Sequence, residues 1–246
     1  MLLEMRANWS LIACMTLNEL REQVCEANRA LEPSGLVRLT WGNVSGIDRA
    51  CGLWAIKPSG VDYDALTPAD IVVLDLEGNV VEGKLRPSSD TKTHLHLYRE
   101  FPRIGGVTHT HSVHATMFCQ AGRELPCLGT THADHFHGTV PVVRALTPQE
   151  VEADYEHFTG VAIVERLREL KLDPIEMPAV LQLHHAPFTF GKSAMDSLNN
   201  SIALEMCAQM AIGSFALNPA ASSIPEHILE KHHLRKHGPN AYYGQK

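Results

Sequence analysis

The chain has 246 residues and a mass of 27.2 kDa, enough for one fairly large domain with a substantial core, and 44% hydrophobic against 20% charged residues is an ordinary globular balance. A formal charge of −7 and a pI near 6.1 argue against nucleic acid as a partner, because no basic stripe is available to neutralise phosphates; small anions need only a local site and stay open. No apolar run approaches the roughly 18 residues of a membrane span, and the six scattered cysteines, with no C-x-x-C pair, read as reduced cytoplasmic thiols rather than a disulfide framework.

At the N-terminus, Leu11-Ile12-Ala13-Cys14 superficially fits a lipoprotein cleavage site, but Glu4 and Arg6 cancel and the apolar stretch is short and broken. Residues 1–14 read instead as an extension or a start set too early, with Met15 the alternative initiator, and 15–246 as a single catalytic domain. Thr16-Leu17-Asn18-Glu19 is a capping box opening a helix that ends before Pro33. Strand-like segments follow over Leu36 to Ser45, Leu53 to Lys57 and Ile71 to Leu76, the last turning through Glu77-Gly78-Asn79 into Val80-Val81. A helix is expected from just after Asp90 to about Arg99, then a strand over Ile104 to Val107 and a helix over Val113 to Ala121. Beyond a Gly/Thr-rich connection come a strand (Thr139 to Val143), a helix (Gly160 to Leu170), a strand (Ala179 to Leu183), a long helix (Ser193 to Phe215) and a helical tail near Pro225 to His237. This order suggests a layered α/β or α+β domain with helices on both faces of a sheet.

His109-Thr110-His111 is the most informative feature. Residues two apart on a strand project from one face, so both imidazoles can grip one cation. A third imidazole follows at the end of another apolar run, in Leu183-His184-His185-Ala186-Pro187, and three such ligands leave a metal with an open position. Three polar clusters sit at predicted strand ends: Trp41-Gly42-Asn43-Val44-Ser45, Lys57-Pro58-Ser59-Gly60 and Arg86-Pro87-Ser88-Ser89-Asp90. Each is an ordinary turn by itself; together they offer N–H groups and hydroxyls suited to a phosphate. Asp90 reads as the N-cap of the helix behind it, or as a carboxylate near the metal. Asp134 is placed in a loop, His135 and His137 on the surface, and Tyr242-Tyr243 at a fraying end.

Taken in order, L-T-W-G-N-V-S, K-P-S-G-V-D-Y, P-S-S-D-T, H-T-H-S, T-T-H-A-D and the ending L-R-K-H-G-P-N-A-Y-Y-G-Q resemble the class II aldolase/adducin family, specifically its pentulose-phosphate epimerases, from about Thr16 to Gln245. The resemblance implies a three-layer α/β/α fold around a mostly antiparallel sheet and a ring of four identical subunits. It implies epimerisation of L-ribulose 5-phosphate and D-xylulose 5-phosphate, a step shared by L-arabinose and L-ascorbate breakdown, by C3–C4 cleavage to a metal-held enediolate and glycolaldehyde phosphate. It places His109, His111 and His185 on the metal, with Asp90 close to or on it. Zinc is the first expectation, with manganese or cobalt as alternatives. Gly42, Asn43, Lys57, Ser59, Gly60, Ser88 and Ser89 are expected at the substrate, Asp134 and Tyr243 as the acid/base pair, and Thr130, Glu156 and His232 as assisting residues. The tail tyrosine is expected to complete a neighbouring subunit's site. Where the family often reads H-x-H before G-P-F, this chain has His184-His185-Ala186-Pro187; strand alternation assigns His185 inward and His184 outward. The rival readings are an aldolase of the L-fuculose-phosphate type, a dehydratase of the same fold, a non-catalytic adducin-like scaffold and, less well matched, a cupin oxygenase.

Overall fold

A computed structural model describes residues 14–242, so all but the last residue of the expected N-terminal extension lies outside the described residues, as does Tyr243. Helix α1 (Leu17–Arg29) starts at the expected capping box, the Thr16 hydroxyl accepting from the Glu19 N–H. The chain then lays down the strands β1 (Gly42–Asp48), β2 (Leu53–Ile56), β3 (Val72–Asp75) and β4 (Val80–Glu82), helix α2 (Thr91–Glu100) and strand β5 (Gly106–Thr110). Helices α3 (Val113–Ala121) and α4 (Thr130–Ala133), strand β6 (Val142–Val143), helix α5 (Pro148–Glu169), strands β7 (Ala179–Gln182) and β8 (Pro187–Gly191), and helices α6 (Ala194–Leu217) and α7 (Glu226–His237) complete the order.

The eight strands form one sheet in the order β4-β3-β2-β1-β5-β8-β7-β6, antiparallel throughout except for the parallel β6–β7 pair. Alternation along each strand sends side chains to two faces. Trp54, Ile56, Val72, Leu74, Val107, Val180, Phe188 and Phe190 pack with Leu97 and Tyr98 of α2 and with Ile163 and Leu167 of α5. On the other face Val44, Ala55 and Val73 meet Leu20 and Val24 of α1 and Leu198 of α6, while Ala179 and Leu181 meet α3 and the rest of α6. The result is three layers, α/β/α, as expected. Among the described residues, no helix is long and apolar enough to cross a membrane.

Several expectations need correction. The first strand begins at Gly42 rather than Leu36, because Leu36 and Val37 are buried from a loop and Leu39 takes a left-handed conformation (φ 53°) that interrupts extended chain. The expected strand at Thr139 shrinks to Val142–Val143, with Val140 only bridging Leu125. Strand β8 has no counterpart among the expected elements; its Pro-Phe-Thr-Phe-Gly stretch runs straight on from the tight turn after β7, and Pro187 reads as a stop in sequence. Helix α5 starts well before Gly160, at the capping box Thr147 to Glu150, and is broken at Asp154 (φ −171°, ψ 89°), which hides its periodicity. Cys14 and Cys51 lie against each other, because the segment before α1 returns along the β1–β2 turn, where the Met15 N–H donates to Asp48 Oδ2 at 2.7 Å. Cys25, Cys119, Cys127 and Cys207 are free and buried.

One buried amide fastens the first helix to the sheet. Asn28, 0% exposed, donates to the carbonyls of Val24 (2.7 Å) and Val44 (2.8 Å) and accepts from the Val44 N–H (2.8 Å). Replacing it strands both backbone groups of Val44 in the interior. Asn28→Ala is expected to lower unfolding stability by about 2–3 kcal/mol, read as a lowered urea midpoint; a midpoint equal to wild type would show that these bonds contribute nothing net.

Candidate metal and anion site

β5 lies between β1 and β8, with Asn43 opposite His109 on one side and Phe188 opposite it on the other. His109 is nearly the last residue of the strand and His111 lies just past its end, so both rings reach the same edge of the sheet. The His109 ring stacks on Phe188 with centroids 4.2 Å apart. His185 arrives from the β7–β8 turn, held by its N–H on the Gln182 carbonyl at 3.1 Å. His184 is exposed as expected, but for a different reason: the segment is a turn, not a strand, and His184 adopts a left-handed φ of 62° that swings its neighbour to the opposite side.

The three rings sit 4.9–5.1 Å apart between centroids, and one nitrogen of each lies within 4.8 Å of the others. The His109 Nδ1–H donates to the Pro187 carbonyl at 3.0 Å, leaving Nε2 with its lone pair exposed to an ion. Burial, with His109 and His111 adding to it, pushes the His185 pKa down to about 3; burial and then His109 push His111 to about 4. Both rings are therefore neutral at pH 7, the state that ligates. This donor set fits a divalent ion of the zinc type.

Asp90 does not cap α2 with its side chain. Its carboxylate turns into the cavity and accepts from Asn43 Nδ2 at 2.6 Å. Burial works to raise its pKa, but His109, His94, the Asn43 bond and His185 outweigh it and hold the carboxyl below its usual range. Among the described residues it stays outside the cluster closed by the three imidazoles, so it stands beside that cluster as a charge partner.

The polar loops meet on the opposite wall. Ser59 donates its N–H to the Arg86 carbonyl at 3.0 Å and Ser88 to that of Lys57 at 3.1 Å, which zips the Ser59-Gly60 and Ser88-Ser89 loops side by side. Gly42 has φ 140°, and a Cβ there would come within 2.8 Å of Val37 Cγ1, so only glycine fits. Lys57 is 2% exposed, its ammonium 4.9 Å from the Tyr63 ring centroid, and burial draws its pKa down to about 8 against the opposing pull of Asp62. These residues, the three imidazoles, Asp90 and Glu156 surround one cavity of about 390 Å³.

Trp41, from the first polar cluster, lines it, and so do Tyr155 and Thr40, which sequence reasoning does not assign to the site. The capping box at Thr147 is the available signal for Tyr155, since it starts the helix that carries it.

Thr130, Asp134 and His232 do not line this cavity. Asp134 closes the short helix α4 rather than sitting in a loop, and it is largely buried. It accepts from Arg235 Nε at 2.9 Å and Nη2 at 2.5 Å and from His232 Nδ1 at 3.1 Å; burial opposes these bonds, yet they hold the carboxyl below its ordinary pKa. His135 and His137 are half-buried, not surface residues, because α7 packs over them: His137 meets Glu230 at 2.7 Å and the His233 ring at 4.6 Å.

Residues 22–212 match the family described as Class II Aldolase and Adducin N-terminal domain. The L-ribulose-5-phosphate 4-epimerase UlaF of Salmonella paratyphi B is 51% identical over 230 residues, covering 94% of this chain and all of that one. Among solved structures, an L-fuculose 1-phosphate aldolase superimposes with a TM-score of 0.73 at 26% identity over 91% of this chain and 97% of its own. An L-fuculose-1-phosphate aldolase from Thermus thermophilus gives 0.65 at 25% identity over 83% and 98%.

The depressed imidazoles make the metal-free protein sensitive to pH. Burial is the first cause in each case, taking His94 to about 3 and His132 and His233 to about 4, beside His111 and His185. Unfolded, each takes a proton below about 6.5, so the unfolded chain binds more protons and stability rises with pH across the window from about 4 to about 6.5. For fully buried His94 alone the slope approaches about 1.4 kcal/mol per pH unit. Chelator-treated protein is expected to unfold at clearly lower urea at pH 5 than at pH 7; equal midpoints would contradict this balance.

Proposed function

The chain belongs to the class II aldolase and adducin family, and on that footing we propose that it is a metal-dependent L-ribulose-5-phosphate 4-epimerase. The observation that carries the reading is the meeting, in one cavity, of three imidazoles and a cradle of small polar residues around a buried lysine. The 51% identity to an enzyme of that name supports it.

Carbon 4 of a ketopentose phosphate is β to the carbonyl, so its hydrogen is not acidic and cannot be removed directly. A β-hydroxyketone can instead break its C3–C4 bond, and rotation of the aldehyde before the bond re-forms inverts the centre. A divalent ion held by His109, His111 and His185 supplies the positive charge that stabilises oxyanions developing in such a cleavage. Zinc suits three nitrogens best, with manganese or cobalt as alternatives. Lys57, Ser59, Gly60, Ser88 and Ser89 hold the phosphate, and an anion beside Lys57 favours its charged form. A fixed phosphate also keeps the aldehyde fragment from leaving, which is what separates an epimerase from an aldolase. Gly42 lines the cavity in a conformation that only glycine takes, and Asn43 presents its amide between Asp90 and Ser88. Glu156 lines the same space as an assisting carboxylate.

Proton exchange at the C4 hydroxyl falls to Asp134 and Tyr243, with Thr130 and His232 assisting, all supplied by a neighbouring subunit. The separation of the Asp134 cluster from the cavity of its own chain favours this arrangement, as does the binding of Asp134 to α7, the helix that leads to the tail. Assembly into a homotetramer is supported by an apolar stripe, 39–51% exposed, of Ile202, Met206 and Met210 on α6 beside Val113 and Met117 on α3. A cytoplasmic setting follows from a substrate that is a phosphorylated sugar.

Metal-loaded protein given L-ribulose 5-phosphate is expected to form D-xylulose 5-phosphate without releasing glycolaldehyde phosphate; stoichiometric release of that aldehyde would make it an aldolase. His109→Ala is expected to purify without bound metal and without activity. Tyr243→Phe is expected to keep its metal content while kcat falls ~10²- to 10⁴-fold, and an unimpaired Phe variant would remove Tyr243 from the acid/base role.

A further inference from the structure

His109 and His185 have their rings fixed by different means. In His109 the Nδ1–H is engaged by the backbone carbonyl of Pro187, inside the sheet. In His185 the corresponding nitrogen faces a side chain: the Tyr155 hydroxyl lies 3.3 Å from Nδ1, with ring centroids 5.9 Å apart. For Nε2 of His185 to be the free lone pair, Nδ1 must carry the proton and the Tyr155 oxygen must accept it.

Tyr155 reaches that position because α5 is not continuous. Asp154 is extended, and its carboxylate caps the second half of the helix, accepting from the His157 N–H at 3.2 Å. Helix α2 clamps the break twice. Lys92 Nζ donates to Asp154 Oδ2 at 2.6 Å, and the buried Thr93 hydroxyl donates to the Glu156 carbonyl at 2.6 Å. Tyr155, between the two fastened residues, and Glu156 are thereby turned into the cavity. An uninterrupted helix would set Tyr155 by the rotation of Pro148 to Asp154 and could not address His185 independently.

We infer that Tyr155 is a positioning residue, whose hydroxyl fixes the ring nitrogen and orientation with which His185 meets a divalent ion, and that the clamped break at Asp154 holds it there. The inference rests on the reading of His109, His111 and His185 as an ion site. An outer partner of this kind changes metal affinity by roughly 10- to 100-fold.

The test is zinc affinity, measured by competition with a chromogenic chelator on metal-free wild type, Tyr155→Phe and Lys92→Met. The Phe variant keeps the ring and its packing, and Lys92 is largely exposed, so unfolding midpoints of the metal-free proteins report whether either change acts on the fold. Tyr155→Phe is expected to bind zinc roughly 10- to 100-fold more weakly at an unchanged midpoint, and Lys92→Met to shift affinity the same way by less. Nitrogen-15 spectra of the histidine rings should show His185 protonated at Nδ1 in wild type and mixed between tautomers in Tyr155→Phe. A Phe variant that binds zinc as tightly as wild type overturns the inference and leaves the ion site standing. Wild type that takes up no zinc overturns the ion site itself.

Discussion

The placement of β5 between β1 and β8 is the constraint on which this molecule depends. Pairing puts Asn43 and Phe188 on either side of His109, and the strand's end puts His111 beyond it on the same face. Because side chains alternate with period two, a slip of one residue would turn His109 into the layer occupied by Thr108, which meets Ser197 of α6. The register is secured on both sides by apolar residues: Val107, Phe188 and Phe190 pack toward α2 and α5, and Val44 toward α1. Chemistry at the sheet edge therefore inherits its precision from hydrophobic burial in the sheet's centre.

Burial also sets the charge states. Imidazoles removed from water stay neutral and keep their lone pairs, the condition for binding a cation. The same desolvation makes Lys57 a weaker base than an exposed lysine, so its full charge is favoured when an anion is beside it. Asp90 runs the other way, kept ionised by the polar and basic groups facing it. One cavity thus holds groups answering opposite charges on opposite walls, a pattern suited to a substrate with a phosphate at one end and oxygens to be chelated at the other.

The cluster around Asp134 is arranged differently. Asp134 is immobilised by two guanidinium contacts and an imidazole, away from the cavity of its own chain. Helix α7 buries only His233 among its side chains and is fastened largely by polar contacts to α4 and the loop after it, including His137 on Glu230 and His237 on the Asp134 carbonyl. Such a seam holds the direction of α7 without a large apolar contact.

What was legible from the amino acids alone was whatever local pattern controls. The capping box at Thr16, the period-two spacing of His109 and His111, and the small residues of the three polar loops each announce themselves over a few positions. The order of these segments disclosed the family, and with it the layers and the residues expected in the cavity. Local pattern did not disclose β8 behind Pro187, the break of α5 at Asp154, or the turn at His184, because each depends on a partner distant in sequence. Tyr155 entered the site only when α2 clamped that break, and Asp90 gave up its capping role only when Asn43 stood opposite it. Residue types and spacing determined which atoms were available to bind a cation and an anion; strand register and desolvation decided which of them face one another, since both are properties of the packed interior.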